Sequence, residues 1–474
     1  MPDLPRPLQA GHAADRIRIL FLIPSFKTGG AEIQLSSLVR GLDKSVFCVT
    51  IAAFYRGNDL DQIYENTPDV TVVYLDKKGA LDFSYLRRLV TLLQQGRFDI
   101  VQCYNQSARL FGVIAAKMVH VPAVIATERT ARPLYSSFGS RFYLFLEKFA
   151  LRKADILIAN SKAGRDFAIA RGVRRERTRV IYNGLDPARR RITRDRDVVR
   201  DELLIAQDAF VIGMVVRVEA LKDPFTFVGA ARSIIEKYDR ARCLLVGDGP
   251  LLDRVKAYAD DSGLTSRMII TGHRTDVADM MNCMDVMILT SKHVEGCSNS
   301  LLEAMALGVP VIATRVGGTA EVVEHERTGL LVSPSSPAEV AAAIERLYCD
   351  EKLRKRLAVN AQLHVDDRFS QEAMVCGHEH LYLELVRKHA PAGGRPMADI
   401  RRQNESYCHH RAHLFGLPVD RITLDDCIRH FGNVIRTGRR CHVVVINAAK
   451  VVKARTDAEL RQVIHAADLV GADG

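Results

Sequence analysis

Short apolar runs of five to eight residues alternate along the chain with stretches whose apolar positions recur at helical spacing. That alternation predicts strands crossing over through helices into parallel sheets. IRILFLIP (17–24), FCVTIAAF (47–54), VTVVYL (70–75), DIVQCY (99–104), AVIAT (123–127) and DILIAN (155–160) supply six strands of one doubly wound domain, spanning 16–190. RVIYNGLD (179–186) then leads into ARRRITRDRDVVRD, whose charge predicts an interdomain linker. A second series, FVIGMVV (210–216), ARCLLVGD (241–248), RMIITG (267–272), DVMILT (285–290) and VPVIAT (309–314), predicts another such domain over 200–370. Two Rossmann-like domains facing across a cleft are the simplest α/β packing. QEAMVCGHEHLYLELVRKH (371–389) has helical periodicity and is expected to close the second domain. APAGGRP (390–396) reads as a linker to a separate partial α/β segment, 397–474.

Composition changes the picture in two respects. Lys and Arg number 67 against 56 Asp and Glu, a net charge of +11, so charge alone admits phosphates, nucleic acid or an acidic membrane surface as partners. The ten cysteines form no C-x-x-C pair and no Cys/His ligand spacing, which predicts reduced, buried thiols, no structural zinc and a cytoplasmic setting. The opening MPDLPRPLQAGHAADR lacks the apolar core of a signal peptide, and no window approaches the ~18 apolar residues of a membrane span. An integral membrane protein is not expected.

The stretch EGCSNSLLEAMALGVPVIATRVGG (295–318) carries the most chemistry. It follows a buried strand, so its loop lies at the carboxyl end of the sheet, where open parallel sheets bind ligands. A helix is expected to begin near Ser298 to Ser300 and to stop at Gly308, with Asn299, Ser300 and Leu301 as candidate ligand-binding residues at its start. Its orphan N–H groups suit a phosphate. Glu303 then sits where it can reach two vicinal hydroxyls beside that phosphate, and Glu295 approaches from the loop. The same spelling also reads as a capping box from Ser300 to Glu303, with Glu295 an exposed loop residue.

Arg217 and Lys222, in RVEALKDP after the strand FVIGMVV, offer a fork and a point charge to a diphosphate. Taken alone, two loop cations are equally a solvated pair. Gly29 and Gly30, at the first strand-helix turn, let the backbone pass close to a ligand or simply pack tightly. GDGP (247–250) lacks the full dinucleotide spacing, which argues against a dehydrogenase.

Assembled, these residues give a chain that resembles the family 4 glycosyltransferases, retaining enzymes of the GT-B fold, over about 17–389. NGLD, RVEALKDP, LLVGDGP, TGHRTDV, the 295–318 stretch and TGLLV occur in that family's order and spacing. The resemblance implies that Glu303 binds the donor ribose, Glu295 lies near the transferred sugar, and Arg217 and Lys222 hold the diphosphate. It implies that Gly29 and Gly30 face donor and acceptor, and that Asn183, Gly184 and Asp186 form a turn between the domains. Many members carry a histidine after the strand equivalent to AVIAT; here the chain reads TERTARP. A second histidine, often present after DIVQC, is replaced by Tyr104 or Asn105. Glu128 and Arg129, with Tyr104 and Asn105, are therefore candidates for touching sugar or acceptor. Glu128 and Arg129 could equally pair with each other or with solvent.

The implied chemistry is transfer of a hexosyl or N-acetylhexosaminyl group from a nucleotide sugar, UDP-sugar by family habit, with retention and without metal or other cofactor. Cations and a helix start would stabilise charge on the leaving oxygens. The implied acceptor is a glycan or a polyprenyl-diphosphate-linked sugar, with nucleic acid not expected as a partner. SSFGSRFYLFLEKFALRKAD (136–155) interleaves basic with aromatic and aliphatic residues and reads either as a peripheral anchor on anionic lipid or as an ordinary core helix.

From Met397 the chain resembles the opening of a family 26 glycosyltransferase, with Asn447 and Asp473 at its donor-site and catalytic-aspartate motifs. Less than half of such a domain is covered, so no transferase activity is expected of this segment itself. Its presence points to bacterial exopolysaccharide, capsule or other cell-surface polysaccharide synthesis. Two other classes stand beside the transferase: a GT-B nucleotide-sugar epimerase, which needs no acceptor loop, and a non-catalytic polyanion-binding protein, which leaves the clustered glutamates without a role.

Overall fold

A computed structural model describes residues 16–58, 60–79, 82–129, 138–293, 295–389, 410–414, 417–421, 443–446 and 469–472. The chain divides into two units, residues 1–362 with 369–389, and residues 363–368 with 390–474.

The first unit contains two parallel sheets. β1 (Ile17–Ile23), β2 (Phe47–Ala53), β3 (Val70–Tyr74), β4 (Ile100–Cys103), β5 (Ala123–Glu128), β6 (Ile156–Ala159) and β7 (Thr178–Val180) lie in the order β3-β2-β1-β4-β5-β6-β7. β8 (Phe210–Val215), β9 (Ala241–Val246), β10 (Met268–Gly272), β11 (Val286–Leu289), β12 (Val311–Thr314) and β13 (Leu330–Val332) lie in the order β10-β9-β8-β11-β12-β13. Most of these runs are buried along their whole length, as befits strands with helices on both faces. Each order reverses at a central switch point, β1/β4 in one sheet and β8/β11 in the other, so each sheet has a crevice at its carboxyl ends. Two short strands, β7 and β13, join the predicted runs as edge strands.

Two expectations are corrected. The helix Gln371–His389 does not close the second domain; it returns to the first. Tyr382 is fully buried there, its ring centroid 6.5 Å from Phe21 and 5.9 Å from Phe47, and its hydroxyl donates to Gln102 Oε1 at 2.7 Å. Gln371 Nε2 donates to the Ser37 carbonyl at 2.8 Å. Helical periodicity predicted an apolar face but not which sheet it covers. Nor is the charged stretch after NGLD only an interdomain linker. It forms a short 3-10 turn, Pro187–Arg190, and a helix, Arg196–Glu202. Arg200 is 1% exposed and donates to the carbonyls of Cys283 (2.9 Å) and Ala209 (3.0 Å) and to Asp285 Oδ2 (2.9 Å). Its charge is matched inside the second domain rather than by water.

Polar contacts fix how the two domains of this unit meet. Glu321, in the short helix Thr319–Val322, accepts from the N–H groups of Lys162 (2.7 Å) and Ala163 (2.9 Å) and from the Tyr182 hydroxyl (2.9 Å). A carboxylate thus sits on the start of the first-domain helix Lys162–Ala170, where the helix dipole favours it. Within the first domain, Arg40 pairs with Asp186 of the NGLD turn.

The second unit contributes an antiparallel pair, β14 (His410–Leu414) with β15 (Leu417–Arg421), and a parallel pair, β16 (Val443–Ile446) with β17 (Leu469–Ala472). Asn447 and Asp473 lie outside the described residues. No helix among the described residues is long and apolar enough to cross a membrane.

Candidate active site

The β8/β11 crevice is assembled first from backbone. Thr290, just past β11, donates its hydroxyl to the carbonyls of Lys222 (3.0 Å) and Asp223 (2.9 Å), which pins the loop after β8. Across it, the Gly318 N–H donates to the Glu295 carbonyl at 2.8 Å. Gly317 has φ +51°, and a Cβ there would stand 2.1 Å from that same carbonyl oxygen, so a side chain at 317 would push the Glu295 loop away. The Gly-Gly pair after β12 is therefore what lets two loops touch and fixes the glutamate.

On that scaffold Lys222 Nζ is ion-paired with Glu295 Oε1, and Ser291 Oγ donates to the same oxygen at 2.5 Å. Glu295 is only 6% exposed, so the reading of it as a solvated loop residue fails. The helix Asn299–Ala306 begins after Ser298, which makes no side-chain cap, and its first N–H groups are left without intrahelical partners. Leu301 is buried and offers only its backbone, while Ser300 stays half-buried with its hydroxyl 3.2 Å from Ser298 Oγ. The predicted capping box does not form. Ser300 lies inside the helix, and Glu303, 4% exposed, accepts from Arg189 Nε at 2.8 Å. Burial pushes the Glu303 carboxyl up from its ordinary value, and Arg189 pulls it back. A small cavity of about 10 Å³, room for about one water, lies between Glu303, Arg189, Gln34 and Asn299.

Arg217 stands apart from this cluster. Its side chain is 68% exposed and its nearest acid is Glu219, 3.6 Å away. Of the four groups expected to converge, the structure brings Lys222 and Glu295 into contact, sets Glu303 against Arg189, and leaves Arg217 on the exposed part of the loop.

The first domain meets this crevice with its own. Gly29 ends the turn after β1 and the helix Gly30–Gly41 follows. A Cβ on Gly29 would lie 2.4 Å from Glu32 Oε2, so the glycine leaves room for that carboxylate to fold back over the turn. Asn105, at φ +61° after β4, donates from Nδ2 to Glu32 Oε1 at 3.0 Å. Burial raises the Glu32 carboxyl above the usual range. Asn299 Nδ2 donates to the Gly30 carbonyl at 3.2 Å, while Gln34 Nε2 donates to Asn299 Oδ1 (3.1 Å) and to the Gly184 carbonyl (2.9 Å). Asn183 Nδ2 donates to Asn299 Oδ1 (2.7 Å) and to the Cys297 carbonyl (2.6 Å). The glycine turn, the interdomain NGLD turn and the start of the helix Asn299–Ala306 are thus one connected network.

Two expected contacts are corrected. Tyr104 is 2% exposed and its hydroxyl accepts from Gln102 Nε2 at 2.8 Å, which places it beneath the site rather than in it. Burial pushes that phenol up to about 12. Glu128 is 1% exposed and belongs to a buried cluster: Arg109 Nη1 is 2.7 Å from Glu128 Oε2, Arg109 Nη2 2.5 Å from Glu147 Oε1, and Arg171 Nη2 2.7 Å from Glu147 Oε2. Among the described residues, two guanidinium groups meet two carboxylates there, so Glu128 is engaged within the fold. Arg129, one residue on, does reach the cleft, where Nη2 donates to Asn183 Oδ1 at 2.7 Å.

Sequence reasoning missed Arg189 and Glu32. The first was hidden in a run of three arginines, and the second was signalled by its place in the GGAE turn.

Two facing parallel-sheet crevices joined through a glycine turn and an uncapped helix start define a GT-B glycosyltransferase. Comparisons agree. Residues 29–184 match the glycosyl transferase 4-like domain, 195–364 match glycosyl transferases group 1, and 412–474 match the glycosyl transferase WecG/TagA/CpsF family. The chain is 28% identical over 316 residues to a UDP-Gal:alpha-D-GlcNAc-diphosphoundecaprenol alpha-1,3-galactosyltransferase of Escherichia coli, covering 64% of this chain and 80% of that protein. It is 26% identical over 341 residues to the capsular polysaccharide biosynthesis glycosyltransferase CapM of Staphylococcus aureus, covering 70% and 89%. Among solved structures, Anabaena HepE in complex with UDP and glucose superposes with a TM-score of 0.68 at 26% identity, covering 78% of this chain and all of that one. The chain belongs to the family 4 type of glycosyltransferase, with a WecG/TagA/CpsF-type segment behind it. The epimerase and polyanion-binding readings find no support.

Proposed function

We propose that this enzyme moves a hexosyl or N-acetylhexosaminyl group from a UDP-sugar to a polyprenyl-diphosphate-linked glycan, with retention and without a metal ion, in bacterial surface-polysaccharide synthesis. The observation that carries this reading is the contact between the glycine turn and the start of the helix Asn299–Ala306, beside the Lys222–Glu295 pair. In this reading the bond from sugar C1 to the β-phosphoryl oxygen breaks while the acceptor hydroxyl oxygen bonds to C1 on the same face. The hydroxyl proton passes to the departing diphosphate. Charge grows on the leaving oxygens, where Lys222, the helix start and Arg217, swung in from Glu219, oppose it. Glu303 exchanges Arg189 for the ribose hydroxyls, and Glu295 accepts from a hydroxyl of the transferred sugar.

The helix Phe138–Lys153 supports peripheral docking on anionic lipid at the cytoplasmic membrane. Glu147, Ala150 and Leu151 are buried, while Phe145 (66% exposed) and Phe149 (55%) face outward with Lys153 Nζ 5.4 Å from the Phe149 ring. Vesicle flotation checks this: binding should fall as salt rises, and salt-insensitive binding would count against it.

Nucleotide release from UDP-, GDP- and ADP-sugars, with and without a polyprenyl-diphosphate glycan and with and without EDTA, tests the whole reading. Acceptor-dependent, chelator-insensitive release from a UDP-sugar is expected, with the product anomer assigned by NMR. Release independent of acceptor would sink it.

A further inference from the structure

We propose that Arg129 is a phosphoryl-binding residue that the first domain adds to the cleft. This inference rests on the transferase reading above and deepens it.

Glu128, clamped by Arg109, fixes the end of β5, and its Oε1 also accepts from the Arg129 N–H at 3.1 Å. Arg129 is thereby the first side chain past β5 that leaves the buried cluster for the cleft. Its guanidinium carries five N–H donors, of which one is spent, on the amide oxygen of Asn183. Among the described residues no carboxylate stands within ion-pair distance of it. Glu32 shares this region, but its carboxylate is held by Asn105.

Lys222 is the informative contrast. It occupies the opposite side of the site and is already neutralised by Glu295. A half-buried guanidinium hydrogen-bonded to an amide, with Glu32 attracting it only from beyond ion-pair distance, has lost water for an incomplete return of opposite charge, and burial draws its proton affinity below the ordinary value. An incoming anion would supply that charge in a medium where the attraction is weakly screened.

The surroundings say which anion fits. Asn183 links Arg129 directly to Asn299, the first residue of the helix Asn299–Ala306, so the free side of the fork lies two hydrogen bonds from an uncapped helix start. A fork and a ring of N–H groups approaching from opposite domains suit tetrahedral phosphoryl oxygens. Asn160, 5% exposed beside them, keeps its amide oxygen without a partner, which leaves an acceptor for a neighbouring hydroxyl. Gly296 keeps that corner open, because a Cβ there would sit 2.3 Å from the same oxygen.

Two phosphoryl groups meet in such a cleft, the leaving diphosphate of the donor and the diphosphate of a lipid-linked acceptor. Arg129→Gln separates them and keeps a donor for Asn183, so a role limited to holding Asn183 predicts no change. Calorimetry with UDP reads the donor arm. The KM for a polyprenyl-diphosphate glycan, against the same glycan on a neutral alkyl aglycone, reads the acceptor arm. Loss of one charge-assisted contact should weaken one arm by roughly tenfold, with a flatter salt dependence than wild type. Arg129→Lys, which keeps the charge but loses the fork, should lose less. If the glutamine chain does not fold, the same two readings on Arg129→Lys decide, a fall of about threefold in either arm being the expected partial loss. A folded, active variant with unchanged UDP affinity and unchanged acceptor KM overturns the proposal. A wild-type chain that releases no nucleotide from any donor sinks the transferase reading instead, before any variant is made.

Discussion

Glu128 is the last residue of β5 and Glu295 lies in the loop after β11; each is nearly inaccessible, and each is paired with a cation. Their surroundings nevertheless give them opposite roles. Glu128 meets Arg109 in a buried cluster with Glu147 and Arg171, where, among the described residues, two guanidinium groups face two carboxylates. Glu295 meets a lysine and a serine at a sheet switch point, beside an uncapped helix start that faces another domain. Burial and a cation are shared. Access to unsatisfied donors is what separates the structural carboxylate from the one to which the proposed mechanism gives a role.

Variants can break that contrast. The largest effect is expected from Glu128→Gln, which leaves Arg109 and Arg171 with surplus buried charge: stability should fall by about 3–5 kcal/mol in denaturant titration, with activity per folded molecule little changed. Glu295→Gln should do the reverse, lowering kcat by roughly 10²–10³ while the melting temperature stays near wild type. Equal behaviour of the two variants would erase the distinction.

His378 sharpens the contrast with a buried group that carries no charge. Burial in the returning helix lowers it from 6.5 to about 4. As pH falls from 6.5 toward 4, the unfolded chain takes up a proton that the folded one refuses, so stability drops, by roughly 3 kcal/mol over the whole window. Thermal melts between those pH values should show the drop in wild type and a flatter profile in His378→Gln. The smallest effect is expected at Glu321, whose removal by Glu321→Ala takes the acceptor from the N–H groups of Lys162 and Ala163, while Ser161 still caps the helix Lys162–Ala170 at Gly164. About 1 kcal/mol of stability should go, with a larger radius of gyration in X-ray scattering as the domains part.

Much of the fold and of the β8/β11 crevice was legible because its signals are contiguous. Apolar runs mark the strands, and the stretch from Glu295 to Gly318 holds helix start, carboxylates and glycines in one span. What stayed illegible depends on partners far away in sequence. The face of Gln371–His389 did not reveal that Phe21 and Phe47 cover it, and Arg189 looked like linker charge until Glu303 met it. Tyr104 and Asn105 are neighbours in the chain, yet one points beneath the sheet end and the other over it, a choice made by the backbone turn at Asn105.

The returning helix also sets an order of assembly. A ribosome-bound chain that has not yet released residues 371–389 leaves Phe21 and Phe47 without their cover, although both were made at the outset. The half synthesised first is therefore completed last, and during that interval its bare aromatic surface is a place for a chaperone to hold.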